Sequence, residues 1–414
     1  LAIDGPVGAL RLPAVRLFFL GRVISVLGAQ MVDVAVGWQL YERTHSPLSL
    51  GLVGLSQVIP VVLLALPAGA AADRFDRRRM GMIAQGGLSL CALGLALAAH
   101  LVAPIWCIYA LLFCTGVFGT FSRPATSSLL AQIVPREQFA NANAWLSSGF
   151  QLGATAGPAL GGLIIALTGG AQTVFFINAF CALIFVGTLA AISPAAIRPL
   201  EKRAGDNVQL SAGLQFVFKS RVLLPAITLD LFAVLLGGAT ALLPVYAKDI
   251  LHVGASGLGL LRAAPSVGAT VSALVQTRLP PWKNTGKVLL GCVAIFGIAT
   301  VGFGLSRWMP LSLFCLFTLG GFDNVSAVIR STLEQVVSPD ALRGRIAAIH
   351  WVFIGLSNEM GEFESGLAAS LLGTVPAVVL GGAGTIVVVL AVRLIWPELW
   401  SLRALEDARD ISPA

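Results

Sequence analysis

Several ionisable side chains of this chain fall inside long apolar stretches: Arg22, Asp33, Arg123, Asp230, Arg262, Asp323, Arg330, Glu334, Glu359, Glu362 and Glu364. Charge in hydrocarbon is costly, so such groups ordinarily face a partner or a watery cavity. On a helix, Arg22 and Asp33 return to within about 20° of one face, roughly 16 Å apart along the axis. Asp323 and Arg330 share a face too, and Arg330 can reach Glu334 at i+4. A carboxyl group on such a stripe can bind and release a proton as its surroundings change. Asp33 is the first candidate for this work, with Glu359 and Glu362 next; a fixed ion pair holding helices together is the plainer reading. For Arg22 and Asp230, near the helix ends, an ion pair that closes one end of a cavity competes with direct chemistry. Glu364 is rotated by about 140° from Glu359, so the three nearby glutamates cannot serve one site. His350 stands alone near one end of its stretch, and a structural role is expected for it. Trp38, Trp145, Phe150, Trp351 and Phe353 are available as apolar walls, with interface anchoring as the default reading.

The elements that must position these groups are membrane spans. Of 414 residues, 57% are hydrophobic and 11% charged, less than half the charged content, about 25%, of a soluble domain. Apolar runs of about 20 residues or more, each long enough to cross a bilayer, are expected near 15–41, 48–72, 80–100, 103–125, 140–168 and 171–193. A second set is expected near 222–247, 255–278, 287–306, 310–336, 344–372 and 375–396. The expected organisation is a six-helix bundle over 1–193, a linker with an amphipathic helix over 194–221, a second bundle over 222–396 and a tail over 397–414. Twenty of the 27 Lys and Arg residues lie on the side of both termini, whereas Arg43, Lys248 and Arg307 lie on the other and four arginines lie within spans. Because positive loops stay inside, both termini are expected in the cytoplasm. That asymmetry accounts for the net charge of +7 through topology and lipid contact, with no nucleic-acid partner implied. The first apolar run reads as a span and not as a removable signal peptide. The six cysteines lie in apolar runs without C-x-x-C spacing and read as packing residues. No phosphate-binding loop and no H-E-x-x-H motif occur, so no enzyme, metal site or cofactor is expected.

Two patterns organise the spans further. A shift of about 205 residues superimposes Tyr41 on Tyr246, Gly54 on Gly259 and Pro60 on Pro265, and nearly the same shift places Gly157 on Gly361 and Gly162 on Gly366. The chain therefore reads as a parallel duplication. Between spans 2 and 3 lies the stretch GAAADRFDRRRM. Its Gly69, Asp73, Arg74, Arg77 and Arg78 resemble the loop signature of the major facilitator superfamily, with Asp76 where that family usually has Gly. Gly153, Gly157, Pro158, Gly161 and Gly162 in span 5 resemble the pattern of that superfamily's drug and proton antiporters. The stretches RTHSPLSLGLV, SRPATSSLLAQIVPREQFANANA, IRSTLEQVVSPDALRGR and SNEMGEFESG look like the enterobactin-exporter type of facilitator, the transmembrane secretion effectors.

The resemblance implies an all-α membrane protein of twelve transmembrane helices in two pseudo-symmetric six-helix bundles, lodged in a bacterial inner membrane. Spans 1, 4, 7 and 10 would line a central cavity, which is where Arg22, Asp33, Arg123, Asp230, Asp323 and Arg330 lie. It implies export of a small amphiphilic molecule, with protons and membrane lipids as the other partners and a monomer as the working unit. An uptake carrier or uniporter of the same fold, or a non-transporting receptor or assembly factor, is the alternative. In the loop, Asp73 is expected to meet the positive N-terminus of a neighbouring helix while the arginines find acids or lipid phosphates, holding the cytoplasmic side shut. In span 5 the glycines are expected to let a second helix approach along one face.

Overall fold

The computed structural model describes residues 7–198, 210–280, 282–339, 342–405 and 407–408. Helices dominate because apolar runs in lipid must satisfy their own backbone groups. The first six long helices are α1 (Pro13–Thr44), α2 (Pro47–Arg74), α3 (Arg77–His100), α4 (Ile105–Ile133), α5 (Phe139–Thr168) and α6 (Gln172–Ala191). A short α7 (Leu210–Lys219) precedes the second set. That set comprises α8 (Leu223–Leu236), α9 (Gly254–Gln276), α10 (Thr285–Leu305), α11 (Met309–Val337), α12 (Arg343–Leu372) and α13 (Thr374–Ile395), and α14 (Pro397–Ser401) follows. Eleven of the described segments are long and apolar enough to cross a membrane. The twelfth long helix, α12, has 30 residues and carries Glu359, Glu362 and Glu364.

The helices fall into two compact units. One holds 1–45, 55–202 and 253–263; the other holds 46–54, 203–252 and 264–414. Each unit thus includes the opening turns of a helix whose remainder belongs to the other. In the first unit α1 packs on α5 and α6, and α3 packs on α4 and α6. In the second, α8 packs on α12 and α13, and α10 packs on α11 and α13. The two packing patterns are the same under the sequence shift, which is how a duplicated chain folds. Each unit also has an apolar cluster where its first helix begins and its fourth ends: Val15, Phe18, Leu129 and Ile133 in one, Leu223, Ala226, Leu333 and Val337 in the other.

One span departs from expectation. The stretch expected to be one helix over 222–247 stops at Leu236 and continues as a 3-10 turn (Ala239–Leu242), a short α-turn and a π-turn (Tyr246–Ile250). Close packing explains the break. A Cβ on Gly238 would lie 2.8 Å from the Gly361 carbonyl oxygen, so α12 runs against bare backbone there. The π-turn also makes this segment end differently from its repeat. His45 caps α1 with its amide on the Tyr41 carbonyl, whereas the corresponding Tyr246 carbonyl is taken five residues on by Leu251. Both segments then end on a histidine in the left-handed region, His45 at φ 50° and His252 at φ 53°.

In the short α7, Val217 packs on Ile227 and Ile346 while Leu214 and Phe218 stay exposed. Most of the linker's charged stretch, 199–209, lies outside the described residues, as do 406 and 409–414 of the tail.

Candidate functional site

In the second unit the charges converge. Asp230 on α8 and Arg330 on α11 are both buried, and their Oδ1 and Nη2 atoms lie 2.7 Å apart. Arg330 Nη1 donates to Ser326 Oγ at 2.5 Å, one turn earlier on α11. Asp323 Oδ1 is 4.0 Å from Arg330 Nη2, with its side chain 46% exposed. One guanidinium therefore faces two carboxylates, one locked and one loose, and its Nε is buried without a hydrogen-bond partner among the described residues. These groups line a recess with Ala233, Cys292, Phe296 and Phe322. Asp323 and Arg330 thus share a face as expected, but Arg330 does not take Glu334. Glu334 Oε2 instead meets His350 Nδ1 at 2.6 Å, both groups buried. The i+4 spacing permits Arg330–Glu334; the approach of α8 on one side and α12 on the other decides against it.

On α12, Glu359 and Glu362 are half-buried, and the opening turns of α2 run along them. A Cβ on Gly54 would sit 2.5 Å from the Glu359 carbonyl oxygen and 3.1 Å from Glu362 Cβ. Glu364 is half-buried and accepts from Ser365 Oγ at 3.5 Å.

The first unit carries Arg22, Asp33, Arg123 and Arg262. Asp33 is exposed, and the charge acting on it is that of Arg262 in the opening turns of α9. Its helix is held in place by α5. Cβ atoms on Gly149, Gly153, Gly157 and Gly161 would clash with Val23, Val26, Gln30 and Met31 of α1. Gly162 turns elsewhere: its Cβ would lie 2.4 Å from the Ala255 carbonyl oxygen and 2.8 Å from Gly259 Cα. The expected small-residue face is therefore two faces. One clasps α1 and the other the start of α9, and Gly149 joins the first although the motif omits it. Of the aromatic candidates, Trp145 packs edge-on against Phe19, Phe150 is exposed, Trp38 is half-buried and Phe353 joins the α7 cluster. The Trp351 side chain lies outside the described residues.

The loop stretch has a division of labour that its spacing did not reveal. Asp73 is 82% exposed and makes only a loose 3.9 Å contact with Arg77, inside its own segment. The acid at a helix N-terminus is Asp76, which accepts from the Arg78 and Arg79 amides and caps α3. The acids Asp73 and Asp76 meet Arg77 and Arg79 only loosely, at 3.9 Å, whereas the close contacts of two arginines are to carbonyls: Arg77 Nε donates to Ala72 at 3.0 Å, and Arg78 to Leu189 at 2.7 Å and to Ala190. Those oxygens belong to the last turns of α2 and α6, where carbonyls lack helical partners and positive charge is favoured. Arg74 ends α2, and a Cβ on Gly69 would meet nothing within 4 Å.

A duplicated set of membrane-crossing helices with charge confined to a few of them is the build of a membrane transporter of the major facilitator type, not of an enzyme. Solved structures agree in fold. A bacterial homologue of the human lysosomal transporter Spinster, in an inward-facing and occupied conformation, superimposes with TM-score 0.71 at 13% identity over 96% of this chain and 97% of the other. A bacterial homologue of the iron transporter ferroportin in an inward-facing state gives TM-score 0.71 at 17% identity over 95% and 99%. The chain belongs to the transmembrane secretion effector family, whose profile matches residues 4–410. The enterobactin exporter EntS of Citrobacter koseri is 28% identical over 404 residues, 97% of this chain and 96% of that protein. The enterobactin exporter EntS of Shigella boydii serotype 18 is 28% identical over 394 residues, 94% of each chain.

Proposed function

We propose that this protein is a secondary active exporter of small amphiphilic molecules in a bacterial inner membrane, with both termini in the cytoplasm, working by alternating access and proton antiport. The observation that carries the reading is the Asp230–Arg330–Asp323 cluster. Asp230 already neutralises Arg330, so Asp323 is a surplus acid, half in contact with solvent and loosely held. A proton or a change in helix position can take it away from Arg330. Asp33 is the counterpart in the first unit. The names of the relatives and of the family support outward transport, and the Arg77 and Arg78 contacts on helix ends supply latches at the cytoplasmic side.

The test is transport of enterobactin and a panel of amphiphilic dyes in proteoliposomes under an imposed pH gradient. An acidic lumen is expected to drive accumulation by the parent. Asp323→Asn and Asp33→Asn are each expected to reduce the gradient-driven rate about tenfold or more while leaving exchange without a gradient. Accumulation that ignores the gradient in the parent, or gradient-driven rates unchanged in both variants, rejects antiport.

A further inference from the structure

The span interiors of the two units differ in sign. The first unit holds Arg22, Arg123 and Arg262 against Asp33; the second holds Asp230, Asp323, Glu334, Glu359, Glu362 and Glu364 against Arg330. Arg262 and Asp33 act on one another, which leaves Arg22 and Arg123. Neither has an acid within ion-pair distance among the described residues.

A buried polar chain sets their level. Ser25 Oγ of α1 donates to Gln85 Oε1 at 3.3 Å, and Gln85 Nε2 of α3 donates to Ser122 Oγ of α4 at 2.9 Å. One glutamine amide thus ties α1 to α4 with Ser25 opposite Ser122. In antiparallel helices that register places Arg22 level with residue 125, so Arg123 is about 3 Å from its height. Both arginines are turned from the serine face, Arg22 by about 60° and Arg123 by about 100°, and so do not point into α3. Arg123 is exposed and Arg22 half-buried. One turn before Arg22, Phe19 meets Trp145 edge-on at a centroid separation of 5.9 Å. Two like charges at one depth repel, and in a membrane-embedded bundle that arrangement calls for an anion between them.

We infer that Arg22 and Arg123 form an anion-recognition pair beside an aromatic wall, so that the solute carried is an amphiphilic anion with an apolar body. This rests on the transport reading and adds the substrate class to it. The first unit reads the anion and the second handles the proton.

The test is calorimetric binding to the purified full chain in nanodiscs, with 2-naphthoate as the probe and 2-naphthalenemethanol as its neutral counterpart. The parent is expected to bind the carboxylate about tenfold or more tightly than the alcohol. Arg22→Gln and Arg123→Gln are each expected to bring that ratio towards one with alcohol binding retained, which also reports folding, while Arg22→Lys and Arg123→Lys keep most of it. Equal binding of both probes by the parent, or a ratio unchanged in both glutamine variants, overturns the inference. So does a preference seen in phosphatidylcholine nanodiscs and abolished in phosphatidylglycerol, which would assign the pair to lipid headgroups. Because no gradient is involved, anion binding can survive when antiport fails, and antiport can survive when anion preference fails.

Discussion

Asp230→Ala is the sharpest perturbation of the charge cluster. It strips Arg330, whose side chain is 6% exposed, of a carboxylate at 2.7 Å. Breaking a buried pair by removing one partner typically costs about 3–5 kcal/mol, because the remaining charge stays buried. Part of this is recovered here, since Asp323 already lies at 4.0 Å and can close on Arg330; shortening the separation to about 3 Å adds about 1.5 kcal/mol of attraction at an effective dielectric of 20. Ordering the half-exposed Asp323 side chain against Arg330 opposes that gain, leaving an expected net loss of about 2–3 kcal/mol. For a melting unit of roughly 200 residues this lowers the apparent Tm by about 4–12 °C. Intrinsic tryptophan fluorescence on heating in detergent measures it. The double variant Asp230→Ala/Arg330→Met should melt above Asp230→Ala alone, because an apolar side chain replaces the stranded cation. A single-variant shift below about 1 °C, or a double variant no more stable than the single, would refute the reasoning.

Two further predictions concern local structure. Gly162→Ala places a Cβ 2.4 Å from a backbone oxygen and must push α5 from the start of α9, a loss of about 1–3 kcal/mol; Gly69→Ala meets nothing within 4 Å and should gain about 0.5–1 kcal/mol from helix propensity. Thermal melts of the two variants should therefore move in opposite directions. Asp76→Ala removes the α3 cap and should cost about 1 kcal/mol, whereas Asp73→Asn, at an exposed side chain, should leave the melting temperature within the error of the measurement.

Hydropathy and punctuation alone determined where the long helices lie, because a run that must cross hydrocarbon has to be apolar throughout and satisfy its own backbone. Duplication was likewise legible, in glycines, prolines and tyrosines repeating at one offset, and the two units pack their helices alike. The intramembrane charges could be counted from the sequence too. What each of them touches could not. Arg330 has Glu334 one turn away and takes Asp230 from a helix one hundred residues earlier, since partner choice is made by the approach of helices and not by local spacing. The pair Gly237–Gly238 was present as a signal, yet α8 breaks there because α12 presses on it. The span 5 glycines serve two neighbours, and Asp76, not Asp73, caps a helix. Sequence sets which groups are available in the membrane; only the tertiary packing, by excluding some approaches and enforcing others, decides which of them meet.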